Sequence, residues 1–189
     1  MNRIVFTGAQ GTGKTTLLNV FKEKNYDVIT EVVRNLSANK KVKINKDGDE
    51  KSQKVIFKEY SNLLSKLSFD GYISDRCLVD VVAYTKYLAE HGKVSMKLFE
   101  KQMKDLKKFV EATPDIIYCY FPIEFPVEDD GTRDTDEEYR KEIDNNIREI
   151  LNTVGIVSIR MTGSVEDRVK KMERIYAWRF EGFKLFHNQ

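Results

Sequence analysis

The stretch Gly8-Ala9-Gln10-Gly11-Thr12-Gly13-Lys14-Thr15 constrains the fold of this chain more than any other. The short apolar run Ile4-Val5-Phe6 precedes it, and an amphipathic segment carrying Leu17, Leu18, Val20 and Phe21 follows. The eight residues fit the G-x-x-x-x-G-K-[ST] pattern of a nucleotide phosphate loop in full, and the strand before and the helix after supply the context that pattern requires. Glycines let the main chain turn so that several N–H groups converge on one phosphate with no side chain between. The helix that opens near Lys14 adds its positive end. Lys14 is placed to bridge β- and γ-phosphates, the Thr15 hydroxyl to take one position on Mg2+, and Thr16 to reach the α-phosphate. ATP and Mg2+ are therefore the expected ligands, held by Gly8, Gln10, Gly11, Thr12, Gly13, Lys14, Thr15 and Thr16.

Strand and helix signals alternate along the rest of the chain. Further strands are expected at Tyr26–Ile29, Gly71–Asp75, Ile116–Tyr120 and Ile156–Ile159. Helices are expected from Glu31, over Ser52–Leu67, Leu78–Glu90, Ser95–Glu111 and Glu137–Leu151, and from Ser164 onward. Ser164 and Asp167 form a capping box at the start of the last helix. This alternation implies a parallel five-stranded sheet with helices on both faces, a three-layer α/β fold. No internal repeat or linker divides it, so residues 1–189 read as one domain, with a lid over about 125–150.

Composition narrows the function classes. Lys and Arg number 32 against 30 Asp and Glu, a net charge of +2, so affinity does not rest on bulk positive charge. Hydrophobic residues at 41% exclude a disordered chain. Cys77 and Cys119 sit in no metal or redox pair, the N-terminus has no signal-peptide pattern, and no stretch is long enough to span a membrane. A cytoplasmic, membrane-free protein is the expectation. His91 and His187 lie in polar surroundings and receive no role.

Functional residues of a parallel sheet collect at the carboxyl ends of its strands. Tyr72-Ile73-Ser74-Asp75-Arg76 ends in a carboxylate followed by a guanidinium. Asp75 there is expected to reach the Mg2+ shell or an acceptor hydroxyl, and Arg76 to hold the acceptor. The alternative for Asp75 is a cap on the next helix. Glu31 and Arg34 lie one helical turn apart after the second strand, either as a surface ion pair or as base and acceptor clamp. The acidic segment Glu128–Asp136 is either a surface loop or a lid, with Arg133 or Arg140 neutralising charge on a transferring phosphoryl. Lys97, Lys101, Lys104 and Lys108 form one helical stripe, either a solvated face or a track for a nucleic-acid backbone. The aromatic C-terminal run Tyr176–Phe186 packs on the sheet or, second, makes a homodimer contact.

Four features in this order, Gly8–Thr15, Glu31-x-x-Arg34, Ser74-Asp75-Arg76 with Asp80–Tyr87, and Asp130-Gly131-x-Arg133, give the chain a resemblance. It resembles the small P-loop kinase group related to the nicotinamide riboside kinase domain of bifunctional bacterial NAD-synthesis proteins, a group filed with AAA-like ATPases. The Asp75-Arg76 segment is also similar to that of thymidylate and deoxynucleoside kinases. The resemblance implies ATP- and Mg2+-dependent phosphorylation of a nucleoside or nucleotide, with Lys14, Glu31, Asp75 and Arg133 catalytic. It implies that Arg34, Arg76 and Arg140 bind the acceptor and that Thr15 and Asp75 hold the metal. Adenine is expected over the Thr162–Ser164 turn. The rival readings are a kinase acting on DNA or RNA and a nucleotide-switch ATPase. A GTPase is disfavoured because Tyr118-Cys119-Tyr120-Phe121 stands where a base-reading Asn-Lys-x-Asp element belongs.

Overall fold

The computed structural model describes residues 3–30, 32, 33, 35, 36, 42–66, 71–126 and 136–187; the side chains of Lys66 and of residues 178–187 fall outside that description. Its strands are β1 (Arg3–Thr7), β2 (Val28–Ile29), β3 (Tyr72–Asp75), β4 (Ile116–Tyr120) and β5 (Ser158–Arg160). Its helices are α1 (Lys14–Glu23), α2 (Glu50–Lys66), α3 (Leu78–Glu90), α4 (Met96–Ala112), α5 (Glu137–Val154) and α6 (Val165–His187). All strand pairs are parallel, in the order β2-β3-β1-β4-β5.

Alternation along β1 divides the core. Ile4 and Phe6 face a layer built from Leu17, Leu18 and Phe21 of α1 with Met172 and Ile175 of α6. Val5 faces the other layer, where α2, α3, α4 and α5 contribute Tyr60, Leu88, Leu106 and Ile147. Side chains buried on both faces of the sheet are what a parallel arrangement requires.

Helix ends follow local chemistry. Ser95 accepts from Leu98 N at the start of α4, and Asp136 accepts from Glu138 N and Tyr139 N at the start of α5. Ser164 and Asp167 form the expected reciprocal box before α6, with Asp167 N donating to Ser164 Oγ and Ser164 N donating to Asp167 Oδ2. Helix α3 is capped by Cys77 and Asp80, so Asp75 does not serve as that cap. Helix α1 differs: it opens on Gly13 in the left-handed region, with no side-chain cap. Its first N–H groups are thus left for another partner.

The fifth strand departs from expectation, running over Ser158–Arg160 rather than Ile156–Ile159. Gly155, at φ 76°, closes α5 and Ile156 N donates to Leu151 O, so these residues complete a helix cap before pairing with β4 begins. The second strand likewise shrinks to Val28–Ile29, since Tyr26 N is already bonded to Phe21 O at the end of α1. The Tyr176 ring lies against Phe21 and Tyr26, so the start of the aromatic C-terminal run packs on α1; Trp178, Phe183 and Phe186 lie outside the described side chains.

Phe21 is wholly buried between α1 and α6, so Phe21→Ala is expected to cost about 3–5 kcal/mol in denaturant unfolding. Val157, 93% exposed, is the control: Val157→Ala should change stability by less than about 0.5 kcal/mol.

Candidate active site

Two glycines make the loop between β1 and α1 sterically exclusive. Gly8 has φ 148°, and a Cβ there would lie 2.4 Å from the Phe121 carbonyl oxygen. Gly13 has φ 83°, and a Cβ there would lie 2.6 Å from Arg168 Nη1. Any other residue at either position meets both a backbone and a packing penalty.

Cationic side chains hold the carbonyls of this loop. Lys14 Nζ donates to Gly8 O (2.7 Å), Ala9 O (2.6 Å) and Thr12 Oγ1 (3.0 Å). Arg140 is fully buried; its Nε donates to Gln10 O (3.0 Å), its Nη2 to Gly11 O (3.1 Å) and its Nη1 to Phe125 O (2.8 Å). Arg168 Nη1 donates to Thr12 O at 2.7 Å. In a trans peptide the carbonyl and the following N–H point in opposite directions. With the carbonyls of residues 10–12 turned to the arginines, the N–H groups of Gly11, Thr12 and Gly13 face the other way. That side is a cavity of about 530 Å3, lined by residues 10–16 and by neither arginine.

The far wall of the cavity comes from β3 and the helices beyond it. Asp75 ends β3 and accepts from Thr15 Oγ1 at 3.4 Å, so the carboxylate and the loop hydroxyl meet. Arg76, at φ 82°, is a non-glycine residue in the left-handed region, braced by Ser74 Oγ donating to its carbonyl (2.8 Å). Its guanidinium donates to Asp80 Oδ1 (3.3 Å) and lies 5.5 Å from the centre of the Tyr84 ring. Asp80 is buried and also accepts from Gly8 N (3.2 Å) and Cys77 N (3.1 Å), tying the loop to the start of α3. Tyr84 OH donates to Gln10 Oε1 (3.1 Å). Val32, Val33, Ile44, Ile56, Tyr60 and Val81 give this end an apolar lining, with the amides of Asn45 and Gln53 beside it.

Thr15, Thr16, Asp75 and Arg76 therefore share one cavity with the loop. Glu31, Arg34 and Arg133 lie outside the described residues, as does residue 127–135 of the expected lid. Arg140, expected at the acceptor, is instead directed to loop carbonyls. None of Lys97, Lys101, Lys104 and Lys108 lines the cavity; all four are exposed on α4. Cys77 and Cys119 are buried thiols, and His91 stacks on Tyr87 at the end of α3. Asp80, Glu124 and Arg168 are the site-building residues that sequence reading missed. Their only local signal is the Asp80 position three residues after Cys77, a capping-box spacing. No group of three metal-ligating His, Cys, Asp or Glu occurs among the described residues, and no described helix is long and apolar enough to cross a membrane.

Comparison with known proteins agrees with this architecture. A family model described as AAA domain matches residues 3–168. No curated protein sequence matches the chain. Among solved structures, a NadR protein in complex with NR superposes with a TM-score of 0.71 at 16% identity, over 93% of this chain and 51% of its own. The chain thus spans about half the length of that protein. Deoxyadenosine kinase from M. mycoides with bound dATP gives a TM-score of 0.67 at 18% identity, over 94% of this chain and 100% of its own. Thymidylate kinase from Candida albicans gives 0.59 at 14% identity, over 94% and 92%. The shared feature is the fold, the three-layer α/β architecture of P-loop nucleoside and nucleotide kinases.

Burial pulls the Lys14 ammonium down to about 7, with the Arg76 charge adding to the effect and Asp80 and Asp75 opposing it. The folded chain therefore sheds this proton near pH 7, whereas the unfolded chain keeps it to its ordinary value of 10.5. The unfolded state binds more protons in that window, so this residue's contribution to stability rises with pH between them. Relative to Lys14→Met, the wild-type unfolding free energy should gain on the order of 1 kcal/mol per pH unit above pH 7. Parallel stability curves for the two proteins from pH 7 to 9.5 would remove the buried ammonium from the account.

Proposed function

The chain belongs to the AAA domain family, and from that premise we propose that it is a small-molecule kinase, transferring the γ-phosphoryl of ATP to a nucleoside or nucleotide. The observation that carries this reading is one continuous cavity with the phosphate loop at one end and Asp75, Arg76 and an apolar, aromatic lining at the other. Donor and acceptor then meet at the Asp75 carboxylate.

The loop N–H groups, the uncapped start of α1 and Lys14 hold the triphosphate, with adenine over the Thr162–Ser164 turn. Thr15 and Asp75 offer two oxygen ligands 3.4 Å apart, a set that suits Mg2+, which keeps several waters and takes one or two protein oxygens. When bound, Mg2+ neutralises charge on the phosphate oxygens. The acceptor hydroxyl loses its proton to a carboxylate, Asp75 or Glu31. Its oxygen bonds the γ-phosphorus while the β–γ bridging oxygen leaves with ADP. Arg34 and Arg76 hold the acceptor, and Arg133 completes the charge clamp. Positioning and charge neutralisation are the protein's main contribution to such a transfer.

The acceptor end favours a planar, largely uncharged molecule. Val32, Val33, Ile44, Ile56, Tyr60 and Tyr84 offer apolar and aromatic surface, and Asn45 offers an amide suited to a base edge, whereas the buried Gln53 amide oxygen already accepts from Thr85 Oγ1. Apolar and aromatic side chains outnumber cations in that lining, where Arg76 is the one arginine among the described residues, and this favours a nucleoside over a nucleotide.

A screen of nucleosides, nucleotides and oligonucleotides for ATP-dependent phosphorylation, with Lys14→Ala as blank, tests the reading. Phosphorylation of a nucleoside is the expected result. Asp75→Asn should lower transfer by about 100-fold or more while leaving ATP affinity within a few-fold. ATP turnover that no acceptor stimulates would instead support the switch ATPase.

A further inference from the structure

One guanidinium joins three segments that are remote in sequence. Arg168, 3% exposed on the first turn of α6, donates Nη1 to Thr12 O of the phosphate loop at 2.7 Å. Its Nη2 donates to Glu124 Oε2 at 2.7 Å, in the connection after β4. That same carboxylate oxygen accepts the N–H of Gly163 at 3.1 Å, in the turn between β5 and α6. The guanidinium carbon lies 5.5 Å from the centre of the Phe121 ring and 5.7 Å from that of Phe125. It also presses against Gly13, where a Cβ would come within 2.6 Å of it.

Two properties set this residue apart from ordinary packing. Arginine presents a rigid planar fork, so fixing one prong on Thr12 fixes the direction of the other toward Glu124. A lysine has one nitrogen and cannot reproduce that geometry. In addition, Arg168 Nε is buried with no hydrogen-bond partner. A buried charge with an unmade hydrogen bond is a poor device for stability alone, which an apolar side chain serves at lower cost.

We propose that Arg168 is a positioning residue, whose fork makes the Thr162–Ser164 turn and the phosphate loop a single unit. Seating the donor's base and ribose at the turn then sets the orientation of the Thr12 peptide, and with it the Gly13 N–H offered to the triphosphate. A donor is recognised as a whole nucleoside triphosphate rather than as a polyphosphate tail. This rests on ATP being the donor, as under Proposed function.

The test uses the full chain with Arg168→Lys, Glu124→Ala and the double variant, titrated with ATP·Mg2+ and with inorganic tripolyphosphate. Each single variant should weaken ATP about tenfold, in Kd and in KM. The double variant should be no weaker than the worse single one. Tripolyphosphate affinity of Glu124→Ala should stay within about twofold of wild type, because Arg168 still holds Thr12. Additive losses, an equal loss for both ligands in Glu124→Ala, or Arg168→Lys with wild-type ATP affinity would each overturn the proposal. Should Arg168→Lys not fold, the two-ligand comparison in Glu124→Ala decides by itself. Wild-type protein that binds no ATP overturns the donor reading and this one together. A wild-type kinase with an unaffected Glu124→Ala variant overturns this one alone.

Discussion

Everything functional in this molecule depends on which way the peptide groups of residues 8–13 are turned. Carbonyl oxygens on a tight loop repel one another and any approaching phosphate, so they must be drawn aside. Lys14 takes those of Gly8 and Ala9, Arg140 those of Gln10 and Gly11, and Arg168 that of Thr12; Gly13 O is taken by Leu17 N as α1 begins. Each arginine that takes a carbonyl aims the next N–H the other way. Arg140 and Arg168 thus act on the cavity wall indirectly, without lining the cavity, whereas Lys14 and Arg76 line it themselves.

The same economy governs the wall opposite. Asp80 is buried, yet it is shared among Gly8 N, Cys77 N and Arg76, so one carboxylate registers the loop, a helix start and the Arg76 guanidinium together. Arg76 sits in a left-handed conformation that only surrounding bonds can sustain. It lies between Asp75, whose carboxylate accepts from Thr15 Oγ1, and the start of α3, which Cys77 and Asp80 cap. Parallel strand order makes this meeting geometric: β3 lies directly beside β1, with Asp75 opposite Phe6, two residues before the loop opens.

Legibility from sequence followed the range of the interaction. Helix α3 matches its expected span because apolar residues fill it and a capping pair bounds it. The turn between β1 and α1 is legible because glycines and a lysine at fixed spacing are a short-range pattern, whereas the strand-end position of Asp75 leaves its role open. The start of β5 differs from the expectation because Ile156 is as apolar as a strand residue, while its N–H is committed to the preceding helix. Arg168 and Glu124 carry no local signal, and the spacing of Asp80 from Cys77 shows a cap but not its bond to the loop: the contacts that matter join residues 156, 44 and 72 positions apart. Arg140 shows the limit most plainly. An arginine near a phosphate loop was foreseen, but phosphate oxygens and peptide carbonyls are equally good acceptors for a guanidinium, and only the fold decides between them.

Amide chemical shifts test the central claim most directly. Titration of 15N-labelled protein with ATP·Mg2+ should move the N–H resonances of Gly11, Thr12 and Gly13 strongly downfield, as their hydrogens bond to phosphate. ATP binding that shifts other amides and leaves these three in place would contradict the account.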